Sequence, residues 1–131
     1  MALVHHELCF GCGRTNLFGL LLEVEPTGEG TVAGRCFLKQ DHQGPRPGLA
    51  HEGILAAALL DAMAFACGEH VYLRSLNLLM EAETVPVAQF VEVEARVEHR
   101  DGDDFQVTAR AKTGSDYVCS ASGSLRLWPS T

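Results

Sequence analysis

The alternation of apolar and polar residues along this chain predicts six β-strands. The clearest strand covers about residues 90–100, where Val91, Val93 and Ala95 alternate with charged residues. Strict alternation is typical of a strand that has one buried face and one solvated face. By the same criterion, further strands are predicted at about residues 20–25, 31–38, 72–81, 105–112 and 117–127.

One segment, residues 54–67, is apolar at almost every position and predicts a helix over about 51–67 that ends at Gly68. A helix that is apolar on all sides is expected to be buried. The only charged residue of segment 54–67 is Asp61. Desolvating a carboxylate costs several kcal/mol, so buried carboxylates usually have a partner or a function. We therefore interpret Asp61 as a functional residue; the alternative is an aspartate near an exposed helix end that pairs with Arg74.

The predicted order is two strands, one helix and four strands. A single-faced antiparallel sheet and an apolar helix bury each other most economically if the sheet wraps around the helix, which is an α+β architecture. The 131 residues are too few for two cores, so residues 1–131 are expected to form one domain. Residues 1–19, which we call the N-terminal segment, are rich in Cys, His and Gly and precede the first predicted strand.

Net charge and composition limit the classes of partner that this chain could bind. A net charge of -7 argues against a sequence-independent nucleic-acid binder, which would present a basic face. The apolar run at 54–67 is shorter than the roughly 20 residues that span a bilayer, so no membrane association is expected.

The first residues lack the features of a signal peptide, and the five cysteines are an odd number. These observations predict a cytoplasmic protein with reduced thiols.

Three motifs in sequence order carry a family resemblance: CFGCG with NLFGL at 9–20, HQG with PGLAHEG at 42–53, and LLDAM at 59–63. Together they resemble the hotdog-fold acyl-CoA thioesterases of the PaaI-like branch. The resemblance implies a hotdog fold, with an antiparallel sheet around one central helix. It also implies a homodimer or homotetramer that hydrolyses acyl-CoA to free CoA and a carboxylic acid without an organic cofactor.

The resemblance further implies a catalytic site. Asp61 would be the nucleophile or general base, and the amide of Gly53 would polarise the thioester carbonyl. His51 would position the substrate or bond to backbone groups at the helix start. Glu52 stands where the family usually has glycine, and Leu60 takes the register expected of the carboxylate. Either the helix begins one residue later, which restores the Gly53 to Asp61 spacing and is preferred, or Asp61 has a different role.

Three residues are weaker candidates for substrate binding. Glu52 is most simply a first-turn acid that favours the helix dipole, and otherwise a second carboxylate in the site. Asn16, with Gly19, is expected to shape the turn into the first strand, with substrate contact as the lesser alternative. Arg100 is one of several cations at solvent-facing strand positions or ends, any of which could bind the phosphates of coenzyme A.

Cys9 and Cys12 form a CxxC pair that could bind zinc together with His5 or His6 and with His42. The alternative is a pair of packed thiols around a tight glycine turn. Because a convincing zinc ribbon needs a second such pair, the sequence favours the metal-free interpretation.

Two other functions remain open. Residues 41–48 weakly resemble the histidine loop of acyl-carrier-protein dehydratases, which would make the chain a hotdog dehydratase or hydratase that uses His42. No helix glutamate matching that family follows, however. A non-catalytic acyl-CoA-binding module is the second alternative, and the Leu60/Asp61 register is its main support.

Overall fold

In the part of the chain that the structure describes, six strands and one α-helix form in the predicted order, with a short 3₁₀ helix at Gln40–His42 before the α-helix. The computed structural model describes residues 2–129. Its elements are β1 (Glu23–Gly28), β2 (Thr31–Leu38), α1 (Glu52–Cys67), β3 (Val71–Met80), β4 (Gln89–Asp101), β5 (Asp104–Thr113) and β6 (Asp116–Leu127). The strands form one antiparallel sheet in the order β1-β2-β4-β5-β6-β3. The predicted α+β architecture is confirmed.

The alternation in β4 places the sheet against the helix. Val91, Val93 and Ala95 are buried, whereas the neighbouring Glu92 and Glu94 are exposed. The apolar face of β4 and of its neighbour β5 packs against α1. Because β4 and β5 are central strands, the helix lies across the middle of the sheet.

The helix is buried on one face rather than on all sides, which corrects the expectation from its composition. The buried positions of α1 follow helical spacing: Leu55, Ala58, Leu59, Ala62, Met63, Ala66 and Cys67. Asp61 and Phe65 lie on the half-buried remainder. The helix ends as predicted at Gly68, whose φ of 72° is the left-handed conformation that glycine adopts without strain. Within the described residues no helix is long and apolar enough to cross a membrane.

The first strand begins and ends three residues later than the predicted 20–25, at Glu23 and Gly28. Leu20 and Leu22 are fully buried, as the alternation indicated, but they lie before β1. Their N–H groups donate to the carbonyl oxygens of Phe10 and Gly11 at 2.8 and 2.7 Å. Apolar alternation therefore identified the buried positions correctly, while the backbone partner is the N-terminal segment. Pro26 is tolerated in β1 because β1 is an edge strand.

Candidate functional site

The N-terminal segment lies across the half-buried face of α1. The ring of His5 stacks on Phe65, with ring centroids 3.8 Å apart and an angle of 1° between the planes. A Cβ atom at Gly11 would come within 2.5 Å of the Asp61 carboxyl group, so the chain passes Asp61 at a distance that only glycine allows. The face of α1 that the sheet leaves open is thus covered by residues from the start of the chain.

Asp61 lies beneath this cover. Its Oδ1 atom is 3.0 Å from His5 Nδ1 and 3.7 Å from Cys9 Sγ. Its Oδ2 atom is buried and has no hydrogen-bond partner among residues 2–129. The side chain is 13% exposed. Arg74, the alternative partner suggested by the sequence, instead lines a surface cavity with residues of β4 and β5.

Four metal-ligating side chains meet at this point. His5, Cys9, Cys12 and Asp61 each place one donor atom within 4.8 Å of the other three, and we call this group the His–Cys–Asp cluster. Among its distances, His5 Nδ1 is 3.8 Å from Cys9 Sγ and 3.4 Å from Cys12 Sγ. The sequence gives Cys9 and Cys12, with His5 or His6 and with His42, only as an alternative to a metal-free pair of thiols. The structure brings His5 and the two cysteines together with Asp61 and leaves His42 apart.

The pKa values of His5, Cys9 and Cys12 are shifted within the cluster. The hydrogen bond with Asp61 raises the pKa of His5 above its ordinary value of 6.5, although burial opposes the shift. Burial raises the pKa of the Cys9 thiol, but hydrogen bonds from the Cys12 amide and with His5 outweigh it, so that pKa lies below its ordinary value. Burial raises the pKa of Cys12 to about 12. Cys9 is therefore the more readily ionised thiol of the pair.

His42 lies elsewhere and is held by the backbone. Its side chain is almost fully buried. Nδ1 accepts a hydrogen bond from the Lys39 N–H at 3.0 Å, and Nε2 lies 3.4 Å from the Phe18 carbonyl oxygen. These contacts tie the loop before α1 to the N-terminal segment. His42 therefore anchors the loop, and both of its ring nitrogens already contact backbone groups.

The start of α1 is capped by His51. Helix α1 begins at Glu52, and the His51 Nδ1 atom accepts a hydrogen bond from the Gly53 N–H at 2.8 Å. The N–H groups of Ile54 and Leu55 donate to the His51 carbonyl oxygen. The Gly53 amide, which the resemblance assigns to the oxyanion, thus lies at the helix start. Its N–H is hydrogen-bonded to the His51 ring.

Gly53 and Asp61 lie far apart on the helix. They are separated by eight residues, which corresponds to about 12 Å along the axis at a rise of 1.5 Å per residue. One thioester cannot contact both groups of the same helix at its reacting carbon.

The other predicted binding residues have local roles. Glu52 is exposed in the first turn of α1. The Asn16 side-chain amide donates to the Leu8 carbonyl oxygen at 3.0 Å, and its Oδ1 atom accepts from the Phe18 N–H at 3.1 Å, so Asn16 shapes its turn. The Arg100 guanidinium pairs with Glu69 at 2.7 Å.

Sequence reasoning missed that the N-terminal segment packs on the helix. The one available signal was the pair of glycines in CFGCG. Gly11 lies against Asp61, and a Cβ atom at Gly13 would come within 2.3 Å of the Glu7 carbonyl oxygen. Glycines at two such positions indicate a segment that is folded tightly against something, but not against what.

Comparison of the sequence with protein-family models and with curated proteins gives no match. Solved structures do match. A phenylacetic acid degradation-related protein from Ralstonia eutropha aligns with a TM-score of 0.73 at 19% identity, over 82% of this chain and 86% of its own. The PaaI protein of the E. coli phenylacetic acid degradation operon aligns with a TM-score of 0.76 at 14% identity, over 86% of this chain and 83% of its own.

A thioesterase superfamily protein aligns with a TM-score of 0.82 at 20% identity, over 92% of this chain and 60% of its own. At these identities the likeness concerns the fold. It confirms the hotdog architecture, which this chain shares with the PaaI protein and with the thioesterase superfamily protein.

Proposed function

We propose that this chain hydrolyses acyl-CoA thioesters, with Asp61 as nucleophile or general base. The observation that carries the proposal is the Oδ2 atom of Asp61, a buried carboxylate oxygen on the central helix without a hydrogen-bond partner in residues 2–129. A carboxylate oxygen that is not engaged by a donor keeps its capacity to take a proton or to attack a carbonyl carbon. The hotdog fold shared with thioesterase superfamily proteins supports this choice of reaction.

The proposed site is shared between two copies of the chain. Because Gly53 and Asp61 of one helix are about 12 Å apart, the amide and the carboxylate that act on one thioester must come from different subunits. A two-fold axis would create two such sites in a homodimer, and two dimers could pair into a tetramer. The partial positive charge at the helix N-terminus would stabilise the oxyanion as it forms.

The chemistry follows from these positions. As general base, Asp61 takes a proton from water while the resulting hydroxide adds to the thioester carbonyl. The carbonyl oxygen becomes an oxyanion on the Gly53 amide, from which the His51 ring must first withdraw. The oxyanion then collapses and the C–S bond breaks, and the coenzyme A thiolate takes the proton held by Asp61, which restores the carboxylate. Because the Oδ2 atom is buried against Gly11, the N-terminal segment must move aside before water can reach it.

Release of free CoA from short-chain, long-chain and aromatic acyl-CoAs, followed with a thiol reagent, tests the reaction. Asp61→Asn should abolish release while the protein stays folded, because the amide cannot act as base or nucleophile. Asp116→Asn is the matched control, since this exposed aspartate lies at the start of β6, outside the His–Cys–Asp cluster. Full activity in Asp61→Asn would exclude the proposed role.

Subunit complementation tests the shared site. Gly53→Pro removes the amide proton in the first turn of α1, at the cost of the hydrogen bond to His51 Nδ1. Each variant alone should be inactive. A mixed dimer of Asp61→Asn and Gly53→Pro retains one intact site, so random reassembly should restore about a quarter of the wild-type activity. Lack of any recovery in a verified mixed dimer would exclude a site built from two copies.

The same substrates separate the two alternatives. Hydration of an enoyl thioester without CoA release would indicate a dehydratase or hydratase; the two backbone contacts of His42 disfavour it. Saturable binding without turnover would indicate an acyl-CoA-binding module.

A further inference from the structure

The His–Cys–Asp cluster joins two distant parts of the chain through groups that bind metals. Three of its members come from the N-terminal segment, and Asp61 comes from the central helix. Two thiols, an imidazole and a carboxylate form a donor set that suits zinc better than magnesium or calcium, which prefer oxygen ligands alone.

The distances fit a tetrahedral ion. Zinc bonds of roughly 2.0–2.3 Å at tetrahedral angles separate neighbouring donor atoms by about 3.3–3.8 Å. His5 Nδ1 lies 3.4 Å from Cys12 Sγ and 3.8 Å from Cys9 Sγ, and Cys9 Sγ lies 3.7 Å from Asp61 Oδ1. The His5 Nδ1 to Asp61 Oδ1 distance, 3.0 Å, is shorter, as a direct hydrogen bond would make it, and all the donor atoms of the cluster lie within 4.8 Å of one another. Small side-chain movements would admit the ion.

A second observation also points to a cation. The Oδ2 atom of Asp61, on the carboxylate whose Oδ1 atom faces the cluster, is buried without a hydrogen-bond partner among the described residues, and burial of an unpaired carboxylate oxygen is costly. Both sulfur atoms in turn accept backbone hydrogen bonds: the His5 N–H donates to Cys12 Sγ at 3.1 Å, and the Cys12 N–H donates to Cys9 Sγ. Such bonds hold the two sulfur atoms in place around the cluster.

We propose that His5, Cys9, Cys12 and Asp61 bind one zinc ion in a tetrahedral site. Four protein ligands leave no open coordination position, which is the arrangement of a structural zinc. The ion would fasten the N-terminal segment to α1. This site differs from the one considered from the sequence, because the helix carboxylate replaces His42 as the fourth ligand.

The site goes beyond the proposed hydrolysis and competes with it for Asp61. A carboxylate whose charge is shared with zinc is a poor nucleophile and a poor base. The zinc-bound and hydrolytic states of the chain would therefore exclude each other. Metal binding must accordingly be measured by metal content and spectroscopy, and hydrolysis must be measured on both metal-loaded and chelator-treated protein, so that either idea can fail without the other.

Metal content and cobalt substitution test the site. Untagged protein from a zinc-supplemented culture, purified without chelator, should contain about one zinc per chain by elemental analysis. Chelator-treated protein titrated with Co²⁺ should show the intense visible bands of tetrahedral cobalt and a thiolate charge-transfer band. Substoichiometric zinc together with a cobalt spectrum of hydrated ion would overturn the proposal, and this measurement needs no variant to fold.

Variants assign the ligands. Cys9→Ser and Cys12→Ser should weaken the charge-transfer band, and Asp61→Asn should lower zinc affinity by roughly tenfold or more in competition with a chromophoric chelator. His5→Ala should do the same, whereas His6→Ala, at the neighbouring exposed histidine, should leave affinity unchanged. Unchanged affinity in Asp61→Asn would remove the helix carboxylate from the ligand set and overturn the proposed site.

Discussion

His5 Nδ1 lies 3.0 Å from Asp61 Oδ1, which joins a loop at the start of the chain to the middle of the central helix. Neighbouring residues hold both His5 and Asp61 in position. The His5 ring stacks on Phe65, one helical turn beyond Asp61, and Gly11 fills the remaining space over the carboxyl group. The properties of Asp61 therefore depend on residues that are 50 or more positions away in sequence.

The His5–Asp61 pair should make the stability of chelator-treated protein depend on pH. The folded-state pKa of His5 is raised, so its contribution is fully present below the unfolded value of 6.5 and is lost as pH rises through the raised folded pKa. The thermal midpoint of the wild type should fall over this window more than that of His5→Gln. Parallel pH profiles for the two proteins would contradict the pairing.

Thiol reactivity should single out Cys9. Its pKa is lowered, whereas burial raises the pKa of Cys12 and Cys36 to about 12 and that of Cys67 and Cys119 to about 11. In chelator-treated native protein a thiol reagent should modify Cys9 first, as mapped by peptide mass spectrometry. Prior incubation with zinc should protect it. Equal modification of Cys36 without unfolding would contradict the structure.

Gly11→Ala should detach the N-terminal segment from α1. The added Cβ atom would lie 2.5 Å from the Asp61 carboxyl group, so the segment must shift, at a cost of about 1–3 kcal/mol in the free energy of unfolding. Denaturant unfolding measures the loss. Gly28→Ala is the matched control, because its nearest contact is the Thr31 hydroxyl at 3.1 Å. A Gly11→Ala protein as stable as this control would show that the N-terminal segment does not pack tightly against Asp61.

His51→Ala should weaken the start of α1. The imidazole acceptor for the Gly53 N–H is lost, and removal of an N-cap costs about 1 kcal/mol. His51→Asp supplies a different acceptor at the same position and should recover most of the loss. Thermal unfolding of the three proteins checks this order. If both variants lose the same stability, the His51 side chain acts by something other than capping.

Removal of zinc should increase the rate of thioester hydrolysis, because it frees Asp61. Chelator-treated protein should release CoA faster than zinc-loaded protein, and added zinc should reverse the gain with one equivalent per chain. A rate that is unchanged between fully loaded and metal-free protein would show that Asp61 does not serve both purposes.

Local patterns sufficed for most of the fold but for little of the site. The alternation at Val91, Val93 and Ala95 identifies a strand because side-chain burial follows the pleat directly. Asp61 was singled out because a charge in an apolar helix is physically unusual. The residues that contact Asp61 could not be predicted from the sequence in the same way, since His5 and Cys9 reach it through a loop whose path depends on tertiary packing. Leu20 and Leu22 show the same limit: their burial was predictable, whereas their backbone partner was not.

The backbone hydrogen bonds of Leu20 and Leu22 to Phe10 and Gly11 have a consequence for trimming the chain. Deleting the residues before Leu20 would remove no residue of the six strands or of α1. It would also expose two fully buried leucines, bare their amides to solvent and uncover the aromatic ring of Phe65. The smallest unit that can fold as this domain therefore begins well before its first strand.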